Sequence, residues 1–173
     1  MSRIMRKGRS RVVITGMGAL TPLGNSPDAL WEAMMQGTSG AGPISYFDTS
    51  KFATKFACEV KDYDPRDHFH RREARRLDRF AQYALVAVDQ ALKDAGLDTS
   101  TMPQSQKDRV GVIVGSGIGG IQVLNAQAQV LQKHGPRFLS PFFIPMMIPD
   151  IVSGHISIKH NFRGPNYLSL IHI

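Results

Sequence analysis

Apolar residues along the 173-residue chain recur with two periods, and their alternation sets out a series of strands and helices. Arg11–Thr15 is a continuous β-branched run, the pattern of a strand buried on both faces. Gly16-Met17-Gly18 and the stretch 21–25 that follow are turn chemistry. Ser26-Pro27-Asp28 then places a capping hydroxyl, a proline and an acid at the first turn of a helix. Leu30, Trp31, Met34 and Met35 share one face of it, which reads as core packing, and Gly37 is its stop. Residues 38–65 are rich in turns, with a strand expected over 54–60. A long helix is expected from about Arg75, with Phe80, Ala84, Val88, Ala91, Leu92 and Ala95 inward and Gly96 ending it. The stretch 99–107 reads as a polar loop.

Val110–Val114 is the second buried strand, followed by the glycine-rich turn 115–120 and a helix over 121–133. Ile121, Leu124, Ala128 and Leu131 form the face expected to point inward. Pro141, Pro145 and Pro149 exclude a regular central strand from the apolar stretch 138–148. A helix over 149–160, with Gly154 allowing close packing, ends before Arg163-Gly164-Pro165. Strands alternating with helices predict an α/β fold with a mostly parallel sheet.

Composition narrows the class. The chain is 42% hydrophobic, yet no run of about 18 apolar residues exists to span a membrane. One cysteine makes no internal disulfide, and the six histidines show no metal-ligand spacing, so neither a metal nor a cofactor is expected. Without a disulfide framework or a signal peptide, a cytoplasmic setting is expected.

The 21 Lys+Arg against 14 Asp+Glu give +7, unevenly spread. Arg3, Arg6, Lys7, Arg9 and Arg11 read as a frayed, disordered basic terminus over 1–10. Arg72, Arg75, Arg76 and Arg79 follow helical spacing and would share one face, next to Arg71. Such a face is commonly only solvated. As a docking patch it suits an acidic protein rather than nucleic acid, because Phe69, Phe80 and Tyr83 form no stacking ladder.

Candidate chemistry is sparse. Gly-Ser-Gly-Ile-Gly-Gly at 115–120 satisfies the dinucleotide-binding pattern, but residues 121–149 contain no acid to hold a ribose. A tight turn with close backbone packing is the stronger reading. Cys58 lies in an expected strand beside Glu59, whose charge opposes a thiolate, and reads as a small packed residue. Asp62, Asp64 and Asp67 lack the glycine and terminal glutamate of a calcium loop.

Taken together, Val12–Asn25, Phe47–Val60, Gly115–Gly120, Gly135–Pro145 and Arg163–Tyr167 resemble the amino-terminal half of a type II β-ketoacyl-acyl-carrier-protein synthase. The resemblance runs in one register over residues 11–167. It implies a thiolase-like fold of two similar α/β halves, of which this is the N-terminal one, and a homodimer. It also implies decarboxylative condensation of an acyl thioester with malonyl-carrier protein in fatty acid elongation. In such an enzyme a cysteine thiolate takes the acyl group and backbone N–H groups hold the oxyanion.

Residue by residue, Ile118 matches a position lining the acyl-chain pocket, and Phe143 a pocket position supplied by the partner subunit. Arg72, Arg75, Arg76 and Arg137 match basic positions that meet the acidic acyl carrier protein. The family continues past its Gly-Pro-Asn-Tyr with an Ala-Cys-x-Thr-Ser elbow, whose cysteine falls about six residues on, where Ile173 stands here. Residues 168–173 are therefore expected to be a non-native tail, resembling translated adapter sequence, and the chain to be a truncated, inactive piece. Two other readings are a non-catalytic partner subunit resembling a chain-length factor, and a nucleotide-binding module on the glycine-rich turn.

Overall fold

The structure is a computed structural model and describes residues 11–170. The basic residues Arg3, Arg6, Lys7 and Arg9, and His172 and Ile173, lie outside the described residues. Its organising element is α3, Arg79–Asp94, which starts at an Asp78 cap and stops where Gly96 turns left-handed (φ 66°). From Arg79 to Leu92 every residue of α3 is buried or half-buried.

One side of α3 meets α7, Ile151–His160, and behind it the parallel pair β3, Val112–Gly115, and β4, Asn166–Ser169. Val112 pairs with Asn166 and Gly115 with Ser169. Leu85 and Val86 of α3, Val152 and Ile156 of α7, Val112 and the flanking Phe69, Leu77 and Phe162 form the core. Full burial of each such side chain stabilises the fold by roughly 1.5–3 kcal/mol. Ser153 and Gln82, both buried, find partners. Asn166 Nδ2 donates to the Ser153 carbonyl at 2.9 Å, and Ser153 Oγ lies 2.7 Å from Asn166 Oδ1, so α7 and β4 are locked together. Gln82 donates to the carbonyls of Ala74 and Leu77 and accepts from the Tyr63 hydroxyl.

The other side of α3 carries the loop 16–25. Its backbone lies so close that a Cβ on Gly18 would stand 1.9 Å from the Ala87 carbonyl oxygen. Gln90 clasps the loop, accepting from Ala19 N–H at 2.9 Å and donating to the Asn25 carbonyl at 2.8 Å. α1, Pro27–Met35, follows with the expected Ser26 cap on the Ala29 N–H. Next come an antiparallel pair, β1, Ala41–Pro43, with β2, Phe56–Cys58, and the one-turn helix α2, Arg71–Ala74. Beyond α3, α4, Gln104–Lys107, interrupts the expected polar loop; α5, Ile121–His134, and α6, Phe143–Met147, follow, with a 3-10 turn, Pro136–Phe138, between them.

Several expectations are corrected. Residues 11–15 form no strand, and Val12 and Ile14 are 91% and 84% exposed. A strand buried on both faces needs neighbours, and among the described residues β3 and β4 pair only with each other. The mostly parallel sheet is thus two separate two-stranded pairs. On α1, Trp31, Met34 and Met35 face solvent instead of the core. On α5 the expected inward face is exposed, and Val123, Gln127 and Val130 are the half-buried positions, because the helix rests on α6 and the short turn before it. Cys58 lies on β2 as expected but is exposed rather than packed. A Cβ on Gly154 would meet open space, so its role in close packing is not found.

Candidate functional site

The glycine-rich turn joins β3 to α5 and lies on the end of α6. Gly120 N–H donates to the Met147 carbonyl at 2.9 Å, and a Cβ at Gly120 would lie 2.5 Å from the Met146 carbonyl oxygen. Gly119 is left-handed (φ 76°), where only glycine is unstrained. The turn therefore does what close backbone packing demands. Ile118 sits inside it, 71% exposed.

A glycine cap offers α5 no side chain, and the missing cap comes from elsewhere in the chain. The buried Asp78 carboxylate accepts from the Val123 N–H at 3.0 Å with Oδ2 and from the Phe80 N–H at 3.4 Å with Oδ1. One carboxylate thus caps both α3 and α5. The Val123 N–H that a bound phosphate would seek is already given to Asp78, which weighs against the nucleotide reading.

Phe143 is the first residue of α6 and is half-buried. Gln127 of α5 positions it: Gln127 Oε1 accepts from Ser140 N–H at 2.8 Å, and the Ser140 carbonyl accepts from Phe143 N–H at 3.0 Å. The turn that carries Ile118 is thus seated on the end of α6, the helix that begins at Phe143.

The arginines are less orderly than a single helical face. α2 ends at Ala74, and Asp78 starts a new helix, so Arg72, Arg75 and Arg76 do not share a continuous helix with Arg79. The break arises because Leu77 and Asp78 are both buried, turning the chain inward between the two helices. Arg72, Arg75, Arg76 and Arg137 are exposed, and none makes an ion pair among the described residues. Arg76 stacks over the Phe142 ring, 4.6 Å from its centroid, which joins the basic segment to the α6 corner. Arg79 is turned the other way, onto the Tyr46 and Tyr83 hydroxyls. Burial there pushes the nearby Tyr63 phenol up to about 12.

His160 is buried beside Asp89, with Nε2 3.3 Å from Oδ1 but not aligned for a hydrogen bond, and Nδ1 3.1 Å from Thr99 Oγ1. Burial lowers its pKa despite the carboxylate, and burial likewise lowers that of His155. Among the described residues no group of three His, Cys, Asp or Glu side chains could hold a metal ion, and no helix is long and apolar enough to cross a membrane.

Residues 9–169 match the model of the β-ketoacyl synthase N-terminal domain. The chain belongs to the β-ketoacyl synthase family. It is 46% identical over 156 residues to the 3-oxoacyl-[acyl-carrier-protein] synthase 2 of Staphylococcus aureus (strain COL), covering 90% of this chain and 37% of that protein. The chain therefore spans little more than a third of that relative's length. Among solved structures, the ishigamide ketosynthase/chain length factor superposes with a TM-score of 0.78 at 26% identity, over 90% of this chain and 38% of that one. A type II polyketide synthase acyl-carrier protein in complex with its ketosynthase bound to the hexaketide gives a TM-score of 0.70 at 27% identity, over 90% and 40% of the respective chains. The α/β fold is thus the thiolase-like fold of the ketosynthases, in its N-terminal part.

Two residues that hold this site together were missed in the sequence. Asp78 is overshadowed by the spacing of the arginines around it, although an aspartate just ahead of a periodic apolar stretch is a cap signature. Gln127 carried no local signal, because its partner lies across a turn.

Proposed function

We propose that this β-ketoacyl synthase segment forms the amino-terminal part of an enzyme that condenses an acyl thioester with malonyl-acyl carrier protein in fatty acid elongation. The observation carrying the reading is the 46% identity, over 90% of the chain, to a 3-oxoacyl-[acyl-carrier-protein] synthase 2. Ile118 and Phe143 serve as apolar walls for the acyl chain, which suits their place on irregular or short elements. Arg72, Arg75, Arg76 and Arg137 receive the acidic carrier protein; their exposure, and the lack of ion-pair partners among the described residues, support that reading. The related complex of a carrier protein with its ketosynthase supports that choice of partner.

Within the 173 residues the sole thiol is Cys58, which is exposed and sits on the strand β2 rather than at a helix N-terminus that would activate it. The chain by itself is therefore expected to have no condensing activity. Activity belongs to a longer homodimeric protein that adds the nucleophilic cysteine and two histidines, the homodimer also letting the partner's Phe143 complete the acyl pocket.

The test is a chimaera in which this chain's residues 11–169 replace the matching segment of the Staphylococcus aureus relative. It should release CO₂ from malonyl-carrier protein in the presence of an acyl thioester, whereas the 173 residues alone should not. Arg75→Glu with Arg76→Glu in that chimaera should weaken carrier-protein binding at least about tenfold. Unchanged binding would remove these arginines from the docking face.

A further inference from the structure

We infer that Asp78 is a positioning residue for the acyl-chain wall: its one buried carboxylate fixes the glycine-rich turn, and with it Ile118, against α6. The inference rests on the proposed role of Ile118 and adds a residue that determines chain-length preference without touching the acyl chain.

The geometry leaves the turn few other anchors. It must use glycine at 120, because the Met146 carbonyl oxygen would lie 2.5 Å from any Cβ there. That same glycine deprives α5 of a side-chain cap. A helix begun without a cap frays over its first turn, and fraying here would release the residues that seat Ile118. Asp78, 45 positions away in sequence, supplies the acceptor to Val123, the third residue of α5.

Because Asp78 is also the cap of α3, it ties α5 to the best-buried helix of the molecule. A carboxylate suits this double task. Its two oxygens accept from two N–H groups at once, and both helices present positive dipole ends to its charge. An amide at this position would turn an NH₂ toward one of the two donors. The carboxylate also lies two residues after Arg76, which stacks on Phe142 beside Phe143. The segment 76–78 thus meets α5 at Val123 and the residue just ahead of α6, Phe142.

The test uses the chimaera described above, with Asp78→Asn, Asp78→Ala and, as a control, Ser26→Ala, which removes the cap of α1 instead. Hydrogen exchange reads the turn directly. Asp78→Ala should speed exchange of the Val123 and Gly120 amides at least tenfold while leaving the α1 amides unchanged, and Asp78→Asn should do so to a smaller extent. The ratio of kcat/KM between long and short acyl thioesters should shift at least threefold in both Asp78 variants and not in Ser26→Ala.

Unchanged exchange at Gly120 would overturn the inference. So would faster exchange with an unaltered chain-length ratio, since that marks a purely structural cap. If Asp78→Ala does not fold, Asp78→Asn carries the same two readouts. An inactive parent chimaera would count against the proposed function alone, and exchange at Gly120 would still decide whether Asp78 positions the turn.

Discussion

α3 and α5 are helices of similar length, sixteen and fourteen residues, each with an apolar stripe, and the fold treats them oppositely. α3 is covered on both sides, by α7 with β3 and β4, and by a loop whose glycines bring backbone against backbone. No residue of α5 is fully buried, and Ile121, Leu124 and Leu131 stand open to solvent. The difference teaches that an apolar stripe states a need for cover, and whether the need is met depends on what else the chain supplies. α3 finds its cover within the described residues. α5, the Val12–Ile14 run and the Trp31–Met35 face of α1 do not.

The largest expected effect follows from that uncovered surface. Expressed alone, the 173 residues should be insoluble or molten, with strong binding of an apolar dye and a broad thermal transition. A sharp, cooperative melt of a monomer would break the comparison, because α5 would then be stable while bare. The chimaera should instead be soluble and melt cooperatively.

Within the chimaera the two helices can be weighed directly. Leu85→Ala on α3 empties a fully enclosed position and should cost about 2–5 kcal/mol in urea unfolding. Leu124→Ala on α5 would cost within about 0.5 kcal/mol only if the position stayed as exposed as it is in this chain alone. The comparison is sharpened if Leu124→Ala costs about 2 kcal/mol or more in the chimaera, which is the expected outcome for a stripe covered in the longer fold. A near-zero cost would mean that α5 faces water there too. Gly18→Ala should cost about 1–3 kcal/mol by wedging a methyl against the Ala87 carbonyl, where backbone has to move.

Local signals made much of this legible. Ser26-Pro27-Asp28 marked the start of α1, Gly96 the end of α3, and the spaced prolines correctly barred a strand over 138–148. These rest on cap and turn chemistry that neighbouring residues decide among themselves. Phase and cover were not legible. The α5 stripe Ile121, Leu124, Ala128 and Leu131 is the more apolar face, yet the helix rests on Val123, Gln127 and Val130 because α6 lies on that side. The arginines were spaced for one helix, but the burial of Leu77 and Asp78 breaks the chain between Arg76 and Arg79. The seating of the glycine-rich turn and of the start of α6 depends on Asp78 and Gln127, whose partners are distant in sequence or held across a turn. Such contacts have no period to read.

The smallest expected effect concerns the covered side, where α3 and α7 meet at Asp89 and His160. Burial lowers the pKa of His160 and outweighs Asp89, which alone would raise it; Lys159 and Lys107 act in the same direction as burial. Burial lowers that of His155 as well, against Glu73. An unfolded histidine titrates near 6.5, so between that value and the lower folded value the unfolded chain binds more protons than the folded one. Stability from these two neutral histidines is therefore complete above about pH 6.5 and is lost as pH falls toward their folded values. Urea unfolding of the chimaera at stepped pH should show this decline, and His160→Gln should flatten part of it by leaving His155 alone to titrate. A decline of unchanged slope in His160→Gln would mean that the α3–α7 contact tolerates a charged imidazolium beside Asp89. The cover over α3 would then be wetter at that end than its buried core implies.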